Sequence, residues 1–117
     1  MVADPDMNRR LREAIGDRPG IAEKKMFGGV CVVLNGHMVG GASRDRTTGH
    51  GHYIFRVGKD NTETAEALPG GEPLVLGGKR LGGIFRVTEE EATDDVLSAW
   101  AALAVSHVSA LPPKPTD

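Results

Sequence analysis

Val30-Cys31-Val32-Val33-Leu34-Asn35-Gly36-His37-Met38-Val39-Gly40 is the stretch that decides how this chain folds. Five apolar residues run into an Asn-Gly pair, and apolar residues resume just beyond it. Asn-Gly between apolar runs is the strongest short signal for a β-hairpin, because a type I′ turn needs positive φ at both central residues. On that turn Leu34 faces His37, Val33 faces Met38, Val32 faces Val39 and Cys31 faces Gly40. Alternation then places Val30, Val32, Leu34, His37 and Val39 on one face, and Cys31, Val33, Met38 and Ala42 on the other. Both faces are largely apolar. A sheet with one wet face normally alternates apolar with polar residues. The hairpin therefore predicts that its second face is covered too, by a second copy in a two-fold homodimer, the alternative being a monomer whose first helix or long loop folds back over it.

Upstream, Asp4-Pro5 reads as an N-cap followed by proline at the first helical position. Met7, Leu11, Ala14 and Ile15 then recur at helical spacing, with Arg9, Arg10, Arg12 and Glu13 on the other side, until Gly16 to Gly20 stops the helix. Ala22 to Phe27 leads through Gly28-Gly29 into the hairpin and is given no element of its own.

Downstream, Ser43 to Gly51 is polar and reads as an exposed loop, longer than most hairpin connections. His52 to Val57 is a strand with Tyr53, Phe55 and Val57 on one face. Lys59 to Leu68 is a short helix broken by Pro69-Gly70-Gly71. Pro73 to Leu76 and Leu81 to Val87 are two further strands about Gly77-Gly78, with Phe85 and Val87 inward. Thr93 opens the last helix, whose first turn holds Asp94 and Asp95, where the dipole favours negative charge. Val96, Leu97, Trp100, Leu103, Ala104, His107, Val108 and Leu111 make its apolar stripe, and Pro112-Pro113 ends it. The order is α-β-β-β-α-β-β-α. It predicts a two-layer α+β domain with a mainly antiparallel sheet and helices on one face, over 1–117 with a core from about 7 to 113 and a polar tail at 114–117.

Composition bounds the function. The chain has 117 residues, a single-domain length, and a formal net charge of −2, which argues against a dedicated nucleic-acid or anionic-membrane binder. Cys31 is the sole cysteine, so no internal disulfide forms. Met1 to Asn8 has no apolar core of the signal-peptide kind. No apolar run approaches the roughly 20 residues of a membrane span. The expected compartment is the cytoplasm.

Three segments in this order resemble one family: Lys24-Lys25-Met26-Phe27-Gly28-Gly29-Val30 leading into Asn35-Gly36, then Phe55-Arg56-Val57-Gly58, then Leu81-Gly82-Gly83-Ile84-Phe85-Arg86-Val87 before a final helix that ends at Leu111-Pro112-Pro113. Together they resemble the TfoX N-terminal domain, named from regulators of bacterial competence genes. Met-Phe-Gly-Gly is the specific part. The resemblance implies a two-layer arrangement similar to type III secretion chaperones. The two-domain competence regulators carry a further C-terminal domain, and this chain stops at Asp117, so a stand-alone domain is expected. Its stretch from Arg44 to His52 is longer than the family's connection.

The residues that bear chemistry are few. Gly28-Gly29 after Phe27 reads first as a bend or bulge that redirects a strand. His50 and His52 are two apart and offer two imidazoles to one side, but a stable zinc site takes three or four protein ligands. The others would be distant: His37, Cys31 or Asp45. His107 lies on the helix stripe and reads as packing. Cys31 sits inside an apolar strand, where a thiol pKa rises and reactivity falls, and His37 lies on the opposite face of the hairpin. The glycine pairs at 70-71, 77-78 and 82-83 form no phosphate loop. Gly77-Gly78-Lys79-Arg80 is a small basic tip, and Glu89-Glu90-Glu91 with Asp94-Asp95 is a solvated acidic helix start.

No catalytic, cofactor or metal residues are therefore assigned. The sequence reads as a non-enzymatic regulatory or adaptor module acting through protein contacts. The alternative is a small-ligand, metal or weak nucleic-acid binder that uses the 44–52 loop and the basic turns.

Overall fold

The computed structural model describes residues 4–26 and 29–113. Asp4 caps the first helix as its sequence implies: one carboxylate oxygen accepts from the backbone N–H groups of Asp6 and Met7 at 3.0 and 3.1 Å. Helix α1, Pro5–Ile15, buries Met7, Leu11 and Ile15 and stops at Gly16. Helix α3, Asp94–Ser109, is capped by the Thr93 side chain and buries Leu97, Trp100, Ala101, Ala104, Val105 and Val108. Between them a single 3₁₀ turn, Lys59–Asn61, runs into the short helix α2, Thr62–Glu66.

One six-stranded sheet carries these helices. Its strands are β1 Ile21–Met26, β2 Gly29–Leu34, β3 His37–Arg44, β4 Gly51–Arg56, β5 Gly71–Leu76 and β6 Lys79–Thr88. The spatial order is β1-β2-β3-β4-β6-β5, and every pairing is antiparallel. The expected α+β class, antiparallel sheet and single helical layer are what the chain adopts. The core joins Met7, Leu11 and Ile15 of α1 and the buried stripe of α3 to Val32, Leu34, Val39, Ala42, Tyr53, Phe55, Phe85 and Val87 of the sheet.

Three features depart from the sequence reading. Ile21–Met26 is a fourth strand before α2, paired with β2 from Ile21↔Leu34 to Met26↔Gly29. It lies at the sheet edge, so exposed Ala22, Glu23, Lys24 and Lys25 carry little of the apolar alternation by which strands are recognised. The second departure is register. Leu34↔His37 and Val33↔Met38 hold, but Val32 then faces Gly40 and Cys31 faces Gly41, so β3 carries one extra residue at Val39. A bulge of this kind turns both of its residues toward one side. Val39 is fully buried, and Ala42 joins the core face instead of the far one. The third is the loop. Ser43 and Arg44 belong to β3 and Gly51 to β4, leaving only Asp45 to His50 as the connection. It is closed by Asp45 N–H donating to the His50 carbonyl at 2.7 Å and Gly49 N–H to the Asp45 carbonyl at 2.8 Å. The Phe27-Gly28 bend and the 114–117 tail lie outside the described residues.

Candidate functional site

The histidines do not meet. His50 is exposed in the β3–β4 connection, whereas His52 is half-buried in β4. There its Nε2 lies 3.3 Å from Ser43 Oγ across the β3–β4 pair, a contact that requires the shortened loop. Burial, and then the Arg86 guanidinium, hold the His52 imidazole below its ordinary pKa, with Asp45 opposing. His37 Nε2 hydrogen-bonds the Pro112 carbonyl at 2.7 Å and so ties the start of β3 to the residues that follow α3. His107 is half-buried against Gly58. Among the described residues no group of three His, Cys, Asp or Glu side chains is placed to hold a metal ion.

Cys31 is 8 % exposed, on the sheet face opposite the helices, and burial pushes its thiol up. Lys24 and Gly41 flank it across the sheet, as Ala22 and Met38 flank Val33, which is 4 % exposed. The far face of the hairpin is thus screened by its own neighbouring strands. It is not the open apolar patch that the residue pattern implies.

Arg44 is the centre of a network that the sequence does not reveal. Its guanidinium donates to Asp4 at 3.0 Å, to both Glu89 oxygens at 3.0 and 2.7 Å and to the Gly49 carbonyl at 2.7 Å. These bonds fasten the α1 cap, the end of β3 and the end of β6 together, and the two carboxylates raise the pKa of Arg44 above its ordinary value. Arg10 similarly reaches the start of α3, donating to the Ala92 carbonyl at 2.6 Å and to Asp94 at 3.0 Å. In the loop, Asp45 accepts from the backbone N–H groups of Thr47 and Thr48. Arg44 and Asp45 thus hold structure, and the 44–52 segment is mostly strand ends around a tight turn.

What stands apart is the end of the β5–β6 hairpin. Strand β4 pairs with β6 only as far as Arg56↔Ile84. Across β5 and β6 the register moves from Pro73↔Phe85 to Val75↔Arg80, two steps on one strand against five on the other. The Gly83 carbonyl, within that excess, accepts from the N–H groups of Val57 and Gly58 at 2.8 and 3.1 Å. Beyond it the sheet is reduced to a two-stranded arm with the pairs Val75↔Arg80 and Leu76↔Lys79, closed by Gly77-Gly78. All six residues from 75 to 80 are exposed. Val75 and Leu76 are 55 % and 59 % exposed, and they are the large apolar side chains left in solvent among the described residues. Cross-strand partners share a face, so each face of the arm presents one aliphatic and one basic side chain. Among the described residues neither Lys79 nor Arg80 has an acidic partner.

The opposite end of the same hairpin is acidic. Glu89 and Asp94 are engaged by Arg44 and Arg10, while Glu90, Glu91 and Asp95 are exposed and form no ion pair among the described residues. A groove of about 390 Å³ opens there, lined by Gly70, Gly71, Glu72, Arg86, Thr88 and Glu91.

Fold and surface together define a two-layer α+β domain whose polar clusters brace the fold and whose large exposed apolar side chains, among the described residues, lie on one arm. Residues 13–108 match the TfoX N-terminal domain, and the chain belongs to that family. No curated protein and no solved structure matches it.

Proposed function

We propose that this domain is a regulatory or adaptor module of the cytoplasm that works through protein–protein contacts and carries out no chemistry of its own. The observation that carries this reading is the arm: Val75 and Leu76 held in solvent beside Lys79 and Arg80, none of them packed against the body of the domain. Exposing such a pair is unfavourable by roughly 25 cal/mol per Å² of apolar surface, and a partner that covers it recovers that free energy. Family membership is compatible with this reading, because the TfoX N-terminal domain is named from regulators. The polar clusters support it as well, since Arg44, Arg10 and Asp45 are bound by groups that hold strands and helices in place. Among the described residues no helix is long and apolar enough to cross a membrane.

A photo-crosslinking residue at Leu76 tests the reading in the native cell, with Ser98, exposed on α3, as the control position. The expected result is a discrete protein adduct from position 76 that position 98 does not give. Absence of any adduct from 76 at full expression overturns the reading.

A further inference from the structure

We propose that the arm seats against the acidic groove of a second copy of this chain, and that the contact is reciprocal. This rests on the protein-contact reading above and names the partner.

The chain carries both halves of the contact. The arm offers Val75, Leu76, Lys79 and Arg80, with no acidic partner for either cation among the described residues. The groove offers Glu91 beside a floor of Gly70 and Gly71, with exposed Glu90 adjoining, while Glu72 at its edge is already paired with Arg86. Both lie on one hairpin, since β5 begins in the groove at Gly71 and ends in the arm at Leu76. The two are separated by five residue steps, about 17 Å of extended chain. When two such hairpins lie side by side and antiparallel, each arm falls on the other's groove at the same time. The two-fold closes by itself, because an isologous contact pairs the same two patches twice. Strand β5 is the sheet edge, and Pro73 in its middle carries no N–H and interrupts any main-chain ladder across that edge. The copies therefore meet through side chains and do not extend the sheet. Opposite charges at these exposed positions set the register and make the association sensitive to salt.

Sedimentation equilibrium of the whole chain at low salt, from about 1 to 200 µM on the scale of weak exposed contacts, is the test. The expected result is a rise from 12.4 kDa toward about twice that mass with concentration, reversed by 0.5 M salt, about three times the physiological ionic strength. One variant carries Lys79→Glu with Arg80→Glu, and another carries Glu90→Lys with Glu91→Lys. All four positions are exposed, and circular dichroism confirms the fold of each variant. Each alone is expected to remain monomeric. An equimolar mixture of the two restores the dimer, because the acidic arm of the first then meets the basic groove of the second, while the unaltered basic arm of the second meets the unaltered acidic groove of the first. A wild type that stays monomeric, a dimer that both variants retain, or a mixture that fails to recover overturns the proposal. So does a monomer whose arm binds anionic vesicles. A monomer whose Leu76 adduct is a different protein overturns the second-copy partner alone, whereas absence of any adduct overturns the protein-contact reading itself.

Discussion

The indole of Trp100 lies against the backbone of Gly71, so close that a Cβ on residue 71 would overlap its Cζ2 and Cη2 atoms. Phe85 packs tilted and Phe55 stacks on the same indole at ring-centroid distances of 5.3 and 6.3 Å, and Nε1 donates to the Pro69 carbonyl at 2.8 Å. Trp100 is therefore the member of α3 that locks the helix to β4, β5 and β6 at once. Trp100→Ala is expected to cost about 3–5 kcal/mol, as large-to-small core changes do. Gly71→Ala is expected to cost about 1–3 kcal/mol by overpacking. Combined, the two should cost less than their sum, because the new methyl enters space the indole has vacated. Urea denaturation followed by circular dichroism measures all three, and strict additivity would show that the Gly71–Trp100 contact is not the cause.

The partners of Trp100 are legible in the sequence, because a lone tryptophan on an apolar stripe has to meet the inward aromatics of the strands it crosses. Asp4-Pro5, Asn35-Gly36 and Thr93 are legible for a different reason: caps and tight turns are set by residues within four positions of one another. What the sequence hides depends on distant neighbours. Arg44 gathers Asp4 and Glu89 from 40 and 45 residues away. Ser43 meets His52 only because the connection is six residues long, where polarity alone implies nine. The Val39 bulge lets Gly40 sit between Val32 and Phe55, a choice made by the third strand of the sheet and not by the turn. The arm is hidden for the same reason: Val75 and Leu76 read as ordinary strand residues until it is known that β4 stops short of them.

Asp4 joins two roles that substitution can separate. Its carboxylate accepts the cap bonds from Asp6 and Met7 and also meets Arg44. The hydrogen bond from the Met7 N–H, and then Arg44, hold its pKa below the ordinary value, against the opposing effect of burial. A carboxyl whose pKa is depressed by folding stabilises the fold above its unfolded pKa of about 3.9, and that stability is lost as pH falls through the folded value. Asp4→Asn keeps a good cap and loses the charge, so it should cost less than Asp4→Ala, which forfeits about 0.5–2 kcal/mol of capping. Urea midpoints from pH 2.5 to 6 check this. The asparagine variant should approach the wild type at the acid end and fall behind it above pH 4.

His52 gives a second pH dependence in a different window. Burial and Arg86 disfavour its imidazolium in the fold, so the unfolded chain takes up the proton more readily. Stability is fully present above the unfolded pKa of about 6.5 and declines as pH falls through the lower folded value. His52→Gln removes the titration and can still meet Ser43 Oγ. Its urea midpoint is expected to stay flat between pH 7.5 and 5, where that of the wild type declines. Parallel profiles for the two proteins would assign the slope to other groups.

Gly77 and Gly78 close the arm with φ of +58° and +78°, nearly the backbone of Asn35 and Gly36 at +53° and +88° in the β2–β3 turn. Neither position is crowded, for a Cβ at either would meet no atom within 4 Å. Substitution there is governed by backbone strain and not by packing. Asparagine tolerates the left-handed region, so Gly77→Asn should be nearly neutral, whereas a β-branched residue at 78 costs about 1–2 kcal/mol. That cost should not spread through the domain. Past Ile84 the arm has only two strands, and a two-stranded ribbon is marginal by itself, so it can open while the six-stranded core stays closed. Hydrogen exchange in Gly78→Val is expected to quicken several-fold at Val75 and Arg80 and to stay unchanged at Phe85 and Val87, with the global urea midpoint little altered. Equal acceleration at all four amides would mean that the arm unfolds only together with the core.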